Sequence, residues 1–230
     1  MATVIVTGAS SGIGKAISER LLTLGYQVIG ISRTVETSQF EHPHFKALQC
    51  DLSNSSDILL RCADLQKDIS ISMLINAAGY GIFEPHEELA PKEIETLIAV
   101  NLQAPILLSN LFLRSIKQHE GMIINITSIE ALRSSKFSAL YSATKAGLRA
   151  FGNALFEEVR KSGVNVLTIN PDMTDTAFFD TLHFKTHNDP DKHLLAEDIA
   201  DTIEQLLSLR HGVAVTEITI RSQRFGILKK

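Results

Sequence analysis

The feature that most constrains this chain is a glycine-spaced loop, Thr7-Gly8-Ala9-Ser10-Ser11-Gly12-Ile13-Gly14, set between a β-branched run and an amphipathic stretch. Thr3–Thr7 (TVIVT) reads as a buried strand. Ile13, Ile17, Leu21 and Leu24 then fall on one face at helical spacing, so residues 14–24 read as a helix that Gly25 ends. Each glycine has a reason. Gly8 permits a tight turn, Gly12 lets backbone approach a ligand closely, and Gly14 lets helix and strand pack. The helix start offers unpaired N–H groups and the positive end of a dipole, which suits a pyrophosphate. Three glycines in a loop are a weak signal alone. A strand before and a helix after supply the context that dinucleotide binding requires. Ser10, Ser11 and Ile13 join the glycines as candidate cofactor contacts.

The alternation continues to the end of the chain. Residues 27–31, 45–50, 73–77, 122–127, 164–169 and Glu217–Ile220 read as strands. Helices are expected from Ser53, as N-cap, through about residue 65, from Pro91, over 141–161 and over 197–209. Strands that are apolar throughout and separated by helices imply a mostly parallel sheet covered on both faces. The expectation is one doubly wound α/β domain of three layers over residues 1–230. Only residues 171–194, rich in Asp, Thr, His and Pro, look irregular, as a substrate lid would.

A net charge of −4 argues against a nucleic-acid partner. The most apolar stretch, 97–113, carries Asn101, Gln103, Pro105, Ser109 and Asn110, so no uninterrupted membrane span of about 20 residues is expected there. The start, MATVIVTG, lacks a basic leader region. Cys50 and Cys62 make no disulfide framework. These readings point to a cytoplasmic protein without a membrane partner.

The end of the second strand discriminates between nicotinamide cofactors. An acid there would bond the adenosine ribose, whereas a base would pair with a 2′-phosphate. Here the run is Gly30-Ile31-Ser32-Arg33-Thr34. Arg33 suits a phosphate, and Ser32 and Thr34 can add hydroxyl bonds. NADP(H) is the expected cofactor, with NAD(H) the lesser alternative. A solvated Arg33 and Glu36 as a rival ribose ligand both remain open.

With these residues in place, the sequence resembles the short-chain dehydrogenase/reductase family, in its short single-domain branch with a Rossmann fold. The resemblance covers nearly the whole chain. Thr7-Gly8-x-x-x-Gly12-x-Gly14 matches that branch's cofactor motif. Asp51, with Leu52 beside it, resembles the adenine-contacting aspartate. Asn76-Ala77-Ala78-Gly79 matches the motif that stabilises the sheet and flanks the cofactor. Thr174 and Thr176 match the positions that hold the carboxamide. Asn101, Ser128, Tyr141 and Lys145 match the catalytic tetrad, with Tyr141-Ser142-Ala143-Thr144-Lys145 as Tyr-x-x-x-Lys. Pro171-Asp172 stands where the family usually has Pro-Gly, which puts a carboxylate near the nicotinamide end.

The chemistry fits those residue types. Tyr141 and Lys145, four apart, share a helix face. An ammonium beside the phenol is expected to lower the phenol's pKa, making Tyr141 an acid or base near neutrality. Ser128 can donate to a substrate oxygen, or serve as a plain N-cap. The resemblance implies that Lys145 bonds the nicotinamide ribose and that Asn101 holds a water. Together the motifs imply hydride transfer between NADP(H) and a small carbonyl or alcohol substrate. A cofactor sensor or scaffold without turnover is the rival from another class. An epimerase or dehydratase is disfavoured by the glycine spacing. Family likeness implies a homodimer or homotetramer. Glu130 and Asp172 are candidates to face the substrate, and Phe178, Phe179, Leu182 and Phe184 to form a lid face. His183, His187, Asp189, Asp191 and His193 cluster nearby, but the reaction needs no metal and none is expected.

Overall fold

Strand β1 (Thr3–Thr7) is buried along its whole length, and its alternating side chains divide the core in two. Val4 and Val6 join Ile17, Leu21, Ile199 and Ile203 on one face. Ile5 joins Ile58, Leu108, Phe112 and Ile116 on the other. The computed structural model describes residues 1–36, 39–63, 65 and 69–230. Its further strands are β2 (Gln27–Ser32), β3 (Phe45–Gln49), β4 (Ile71–Asn76), β5 (Met122–Ile126), β6 (Asn165–Pro171), β7 (Thr174–Asp175), β8 (Phe184–Thr186), β9 (Leu194–Leu195), β10 (Glu217–Ile220) and β11 (Ile227–Lys229). The helices are α1 (Gly12–Thr23), α2 (Ser55–Ala63), α3 (Pro91–Ile98), α4 (Ala104–Gln118), α5 (Ala139–Val159) and α6 (Ala196–Leu207).

The central sheet has seven strands in the order β3-β2-β1-β4-β5-β6-β10, and every pairing is parallel. Helices α1 and α6 pack on one face; α2, α4 and α5 cover the other. The chain reverses direction of winding between β1 and β4, which opens a crevice at the strands' C-terminal ends. Arg149 on α5 clamps the edge strand β10 through a two-pronged bond to Glu217, at 2.7 and 2.9 Å.

Three expectations need correction. The N-cap of α2 is Asn54, one residue after the expected Ser53, because the Asn54 side chain accepts from the Ser56 and Asp57 amides, while Ser53 bonds Asp51. The helix's expected end adjoins residues 64 and 66–68, which lie outside the described residues. The polar residues of 97–113 do not break the helix. Pro91–Gln118 runs on as 28 helical residues, long and apolar enough to span a membrane by length and composition. Asn101 and Ser109 are turned into the protein, where both are fully buried. Finally, residues 171–194 are ordered by pairing: β7 with β9 in parallel, and β8 with β11 antiparallel.

Candidate active site

The glycine loop is held by a stitch across three strand ends. Gly8 (φ +70°) donates its amide to Ile31 at 2.8 Å. Thr7 Oγ1 accepts from the Ala77 and Ala78 amides, both at 3.0 Å. A Cβ on Gly8 would lie 2.9 Å from Ala78 Cα, and one on Gly14 would lie 2.4 Å from the Gly8 carbonyl oxygen. No side chain fits at either point. At the start of α1, Ser11 makes no side-chain capping bond and the first turn contains no acid. Its N–H groups and dipole therefore face the crevice without an internal counter-charge. This cradle fits a pyrophosphate.

The crevice above the loop has a volume of about 670 Å³. Gly8, Ser10, Ser11, Gly12, Ile13 and Gly14 line its floor, and Ser32, Arg33, Asp51, Leu52, Ala77, Gly79 and Thr176 its walls. Arg33 is exposed at the rim. Glu36 is not among the lining residues. Ser32 Oγ already accepts from the Thr34 and Val35 amides, which leaves its hydroxyl hydrogen to donate. Four residues expected at the cofactor, Asn76, Tyr141, Lys145 and Thr174, are not among those lining this crevice. Asn76 is buried beneath the crevice, where its Nδ2 donates to Asn125 Oδ1 at 2.9 Å and ties β4 to β5. Thr174 lines the neighbouring substrate-sized cavity and donates to the Asp172 carbonyl. Thr7 heads the matched glycine motif, but the bonds its hydroxyl accepts come from the end of β4, 70 and 71 residues away, and no local pattern announces them.

The tetrad converges where β5, α5 and the long helix meet. Asn101 sits in a π-helical turn, Ala99–Gln103. Pro105 cannot donate to the Asn101 carbonyl four residues earlier, which favours the wider turn. The Asn101 side chain bonds Tyr80 in both directions: Nδ2 donates to its carbonyl at 2.9 Å, and Oδ1 accepts from its amide at 3.2 Å. Lys145 Nζ, fully enclosed, donates to the Ile126 carbonyl at 3.0 Å. A Cβ on Gly79 would lie 3.0 Å from Lys145 Nζ and 3.2 Å from Asn101 Oδ1. Gly79 thus keeps open the space that joins them.

Burial lowers the Lys145 amine to about 8. The Tyr141 phenol departs from expectation: the protein's own groups raise it above the ordinary 10 instead of lowering it. Burial is the main cause, the bond with Ser128 opposes it, and the Glu130 charge adds to it. Lys145 Nζ stands 5.9 Å from the ring centre, too far to outweigh that desolvation. Ser128 serves as the N-cap and also faces the phenol. Its Oγ caps the short turn Ile129–Ala131 by accepting from the Glu130 amide at 3.1 Å, and both Ser128 and Tyr141 line the same cavity.

Tyr141 and Ser128 face a second cavity of about 170 Å³, which meets the crevice at Ile13, Thr176 and Phe178. Phe83 and Phe178 stand 5.2 and 5.9 Å from the Tyr141 ring, and Phe184 packs edge-on against Phe83. The phenylalanines of 171–194 therefore do cover the site. The strap of β8 on β11 holds them down, with Lys230 Nζ donating to the Phe179 and Asp180 carbonyls.

The two nearby carboxylates are engaged internally. Glu130 is buried among Arg133, Ser135, Ser138 and Ser142. Burial alone would raise its pKa, but the bonds from those groups pull it below the usual carboxylate value. Asp172 pairs with Arg221 at 3.0 Å and accepts from the Met173 amide at 2.9 Å. Both also line the substrate-sized cavity, each as an already paired carboxylate. Of the histidine cluster, His193 and His187 bond Asp189 backbone atoms. Among the described residues, no group of three or more His, Cys, Asp or Glu side chains could hold a metal.

A nucleotide crevice opening beside a Tyr-Lys-Ser-Asn constellation defines a dinucleotide-dependent oxidoreductase site, and comparison with known proteins agrees. The family model for short chain dehydrogenase matches residues 2–186. An uncharacterised oxidoreductase of Staphylococcus epidermidis is 32% identical over 225 residues, covering 94% of this chain and 95% of that protein. Among solved structures, an alcohol dehydrogenase of Thermococcus sibiricus complexed with 5-hydroxy-NADP superposes with a TM-score of 0.88 at 26% identity, covering 98% of this chain and 99% of the other. A 4-hydroxyisoleucine dehydrogenase complexed with NADH gives 0.84 at 26%, covering 96% and 98%. The chain belongs to the short-chain dehydrogenase family and is an oxidoreductase.

The Glu130 cage generates a stability prediction. A carboxyl whose folded pKa is depressed stabilises the fold above its ordinary value, here 4.5, and that contribution is lost as pH falls through the folded pKa. Urea unfolding should find Glu130→Gln less stable than wild type at neutral pH, with the gap narrowing below 4.5. An equal gap at both pH values would remove the carboxylate from the cage's energetics.

Proposed function

We propose that this protein reduces a small carbonyl compound with NADPH, using Tyr141 as the acid. The observation that carries the reading is that Ser128 and Tyr141 face one small aromatic cavity, which joins the nucleotide crevice at Thr176. When bound, reduced nicotinamide supplies the hydride to the carbonyl carbon. Ser128 donates a hydrogen bond to the carbonyl oxygen as negative charge develops there. Tyr141 gives that oxygen its proton. Its raised pKa keeps the phenol protonated throughout the neutral range. Lys145, charged below about 8, stabilises the phenolate left behind. Asn101, fixed at both ends to Tyr80, holds its side chain beside that amine.

The preference for NADPH rests on Arg33 at the crevice rim, with no acid in the lining at the end of β2. Relatives of both kinds exist: the Thermococcus enzyme was solved with an NADP derivative and the 4-hydroxyisoleucine enzyme with NADH. We also propose assembly as a homodimer or homotetramer through α4 and α5. The apolar helix Pro91–Gln118 buries only 39% of its most apolar window within the chain, which supports this. Light scattering giving the mass of one chain would count against assembly.

NADPH oxidation over a panel of aldehydes and ketones tests the chemistry. Tyr141→Phe should lower turnover by about a hundredfold or more while NADPH binding stays intact. Full turnover in the variant would exclude Tyr141 as the acid. Tight NADPH binding without turnover in wild type would favour the sensor. For the cofactor, Arg33→Ala should weaken NADPH by about tenfold or more and leave NADH unchanged; an unaltered ratio of the two affinities would acquit Arg33.

A further inference from the structure

We infer that Arg133 is the substrate's anchor and that the carbonyl substrate carries a carboxylate, an oxo acid in place of a neutral ketone. The inference deepens the reductase reading and depends on it only for where the carbonyl sits. The aromatic rings of Phe83, Phe178, Phe179, Phe184 and Tyr141 line the substrate cavity, and its charged lining residues are Arg133 with the acids Glu130 and Asp172, which are ion-paired to Arg133 and Arg221. Aromatic walls with a few oriented polar groups are the usual form of a specificity pocket.

Three observations set the guanidinium's posture. Its Nε donates to Glu130 Oε1 at 3.2 Å, and Glu130 is itself locked by Ser135, Ser138 and Ser142. Its Cζ lies over the Phe225 ring, 5.9 Å from the ring centre, a cation–π contact. With Nε committed to Glu130, the edge bearing the two terminal nitrogens remains. Among the described residues those nitrogens have no hydrogen-bond partner, and the side chain is 41% exposed. Two parallel N–H donors on a fixed plane match a carboxylate bidentately.

The carboxylates nearby point to the same class. Glu130 is only 8% exposed and its oxygens are taken by four residues. Asp172 is 3% exposed and tied to Arg221 and the Met173 amide. Glu130, with five donors on its two oxygens, has no acceptor site left for a substrate ammonium, and the charge of Asp172 is already paired with Arg221. Arg133 can take an anion and keep all of its own bonds. Its cost of ordering is already met by Glu130 and Phe225, so the anion binds a prearranged donor pair.

The test pairs short oxo acids (3-oxobutanoate, 4-oxopentanoate and longer homologues) with their methyl esters in NADPH oxidation by wild type, Arg133→Met and Arg133→Lys. Wild type should prefer the acids. Arg133→Met should lose roughly ten- to a hundredfold in kcat/KM for acids, chiefly through KM, with esters changed less than about twofold. Arg133→Lys, which keeps the charge without the fork, should fall between. Equal use of acids and esters by wild type, or equal acid kinetics in Arg133→Met, would overturn the inference. A second arm does not pass through turnover: calorimetric titration of butanoate and butanamide, with and without NADPH. Butanoate binding that Arg133→Met abolishes supports the anchor even if no carbonyl compound is reduced, in which case only the reductase reading fails. Absent butanoate binding, or binding unchanged in Arg133→Met, overturns it.

Discussion

The site depends on one buried amine. Lys145 Nζ is enclosed behind the C-terminal ends of the sheet, with the Ile126 carbonyl as its hydrogen-bond partner. Burying an ammonium is costly unless its donors are used, and the low pKa, about 8, reflects that cost. Much of the neighbouring structure accommodates this group. Gly79 carries no side chain that would collide with it. The π turn points Asn101 toward it, and α5 starts early enough to place Tyr141 one turn before it. Moving any of these would either seal the space around the amine or open it to water.

Around that centre the chain spends its polar bonds on rigidity. Thr7 fastens the glycine loop to β4. Glu130 gathers three serines and an arginine under the substrate cavity, and Asp172 binds Arg221 from the far end of the chain. The cavity walls therefore combine aromatic rings with two acids, Glu130 and Asp172, whose charges are already engaged within the protein. Rigid walls also explain how a segment rich in polar residues serves as a cover: its phenylalanines face inward while β11 straps it from outside.

Much of this was legible in the sequence because it is local. The glycine loop, the alternating strands and Tyr141-x-x-x-Lys145 are short-range patterns whose spacing decides their geometry. Ser53 against Asn54 as cap was not decidable, since both side chains can accept from amides and the choice fell to whether Asp51 engaged Ser53. Segment 171–194 looked irregular because its strands are two or three residues long and pair with distant partners, β7 with β9 and β8 with residues 227–229, which no local pattern announces. The same holds for Asp172, whose partner is 49 residues away. The phenol of Tyr141 moved opposite to expectation because sequence gives neighbours but not burial, and burial is the larger effect here.

The most direct test of the central claim is the pH dependence of kcat/KM for NADPH, which reports groups of the free enzyme. Lys145 is charged below about 8 and neutral above it, so the parameter should fall as pH rises through that value. A profile that stays level until the ordinary lysine value of 10.5 would contradict the account, because the amine at its centre would then be neither desolvated nor poised.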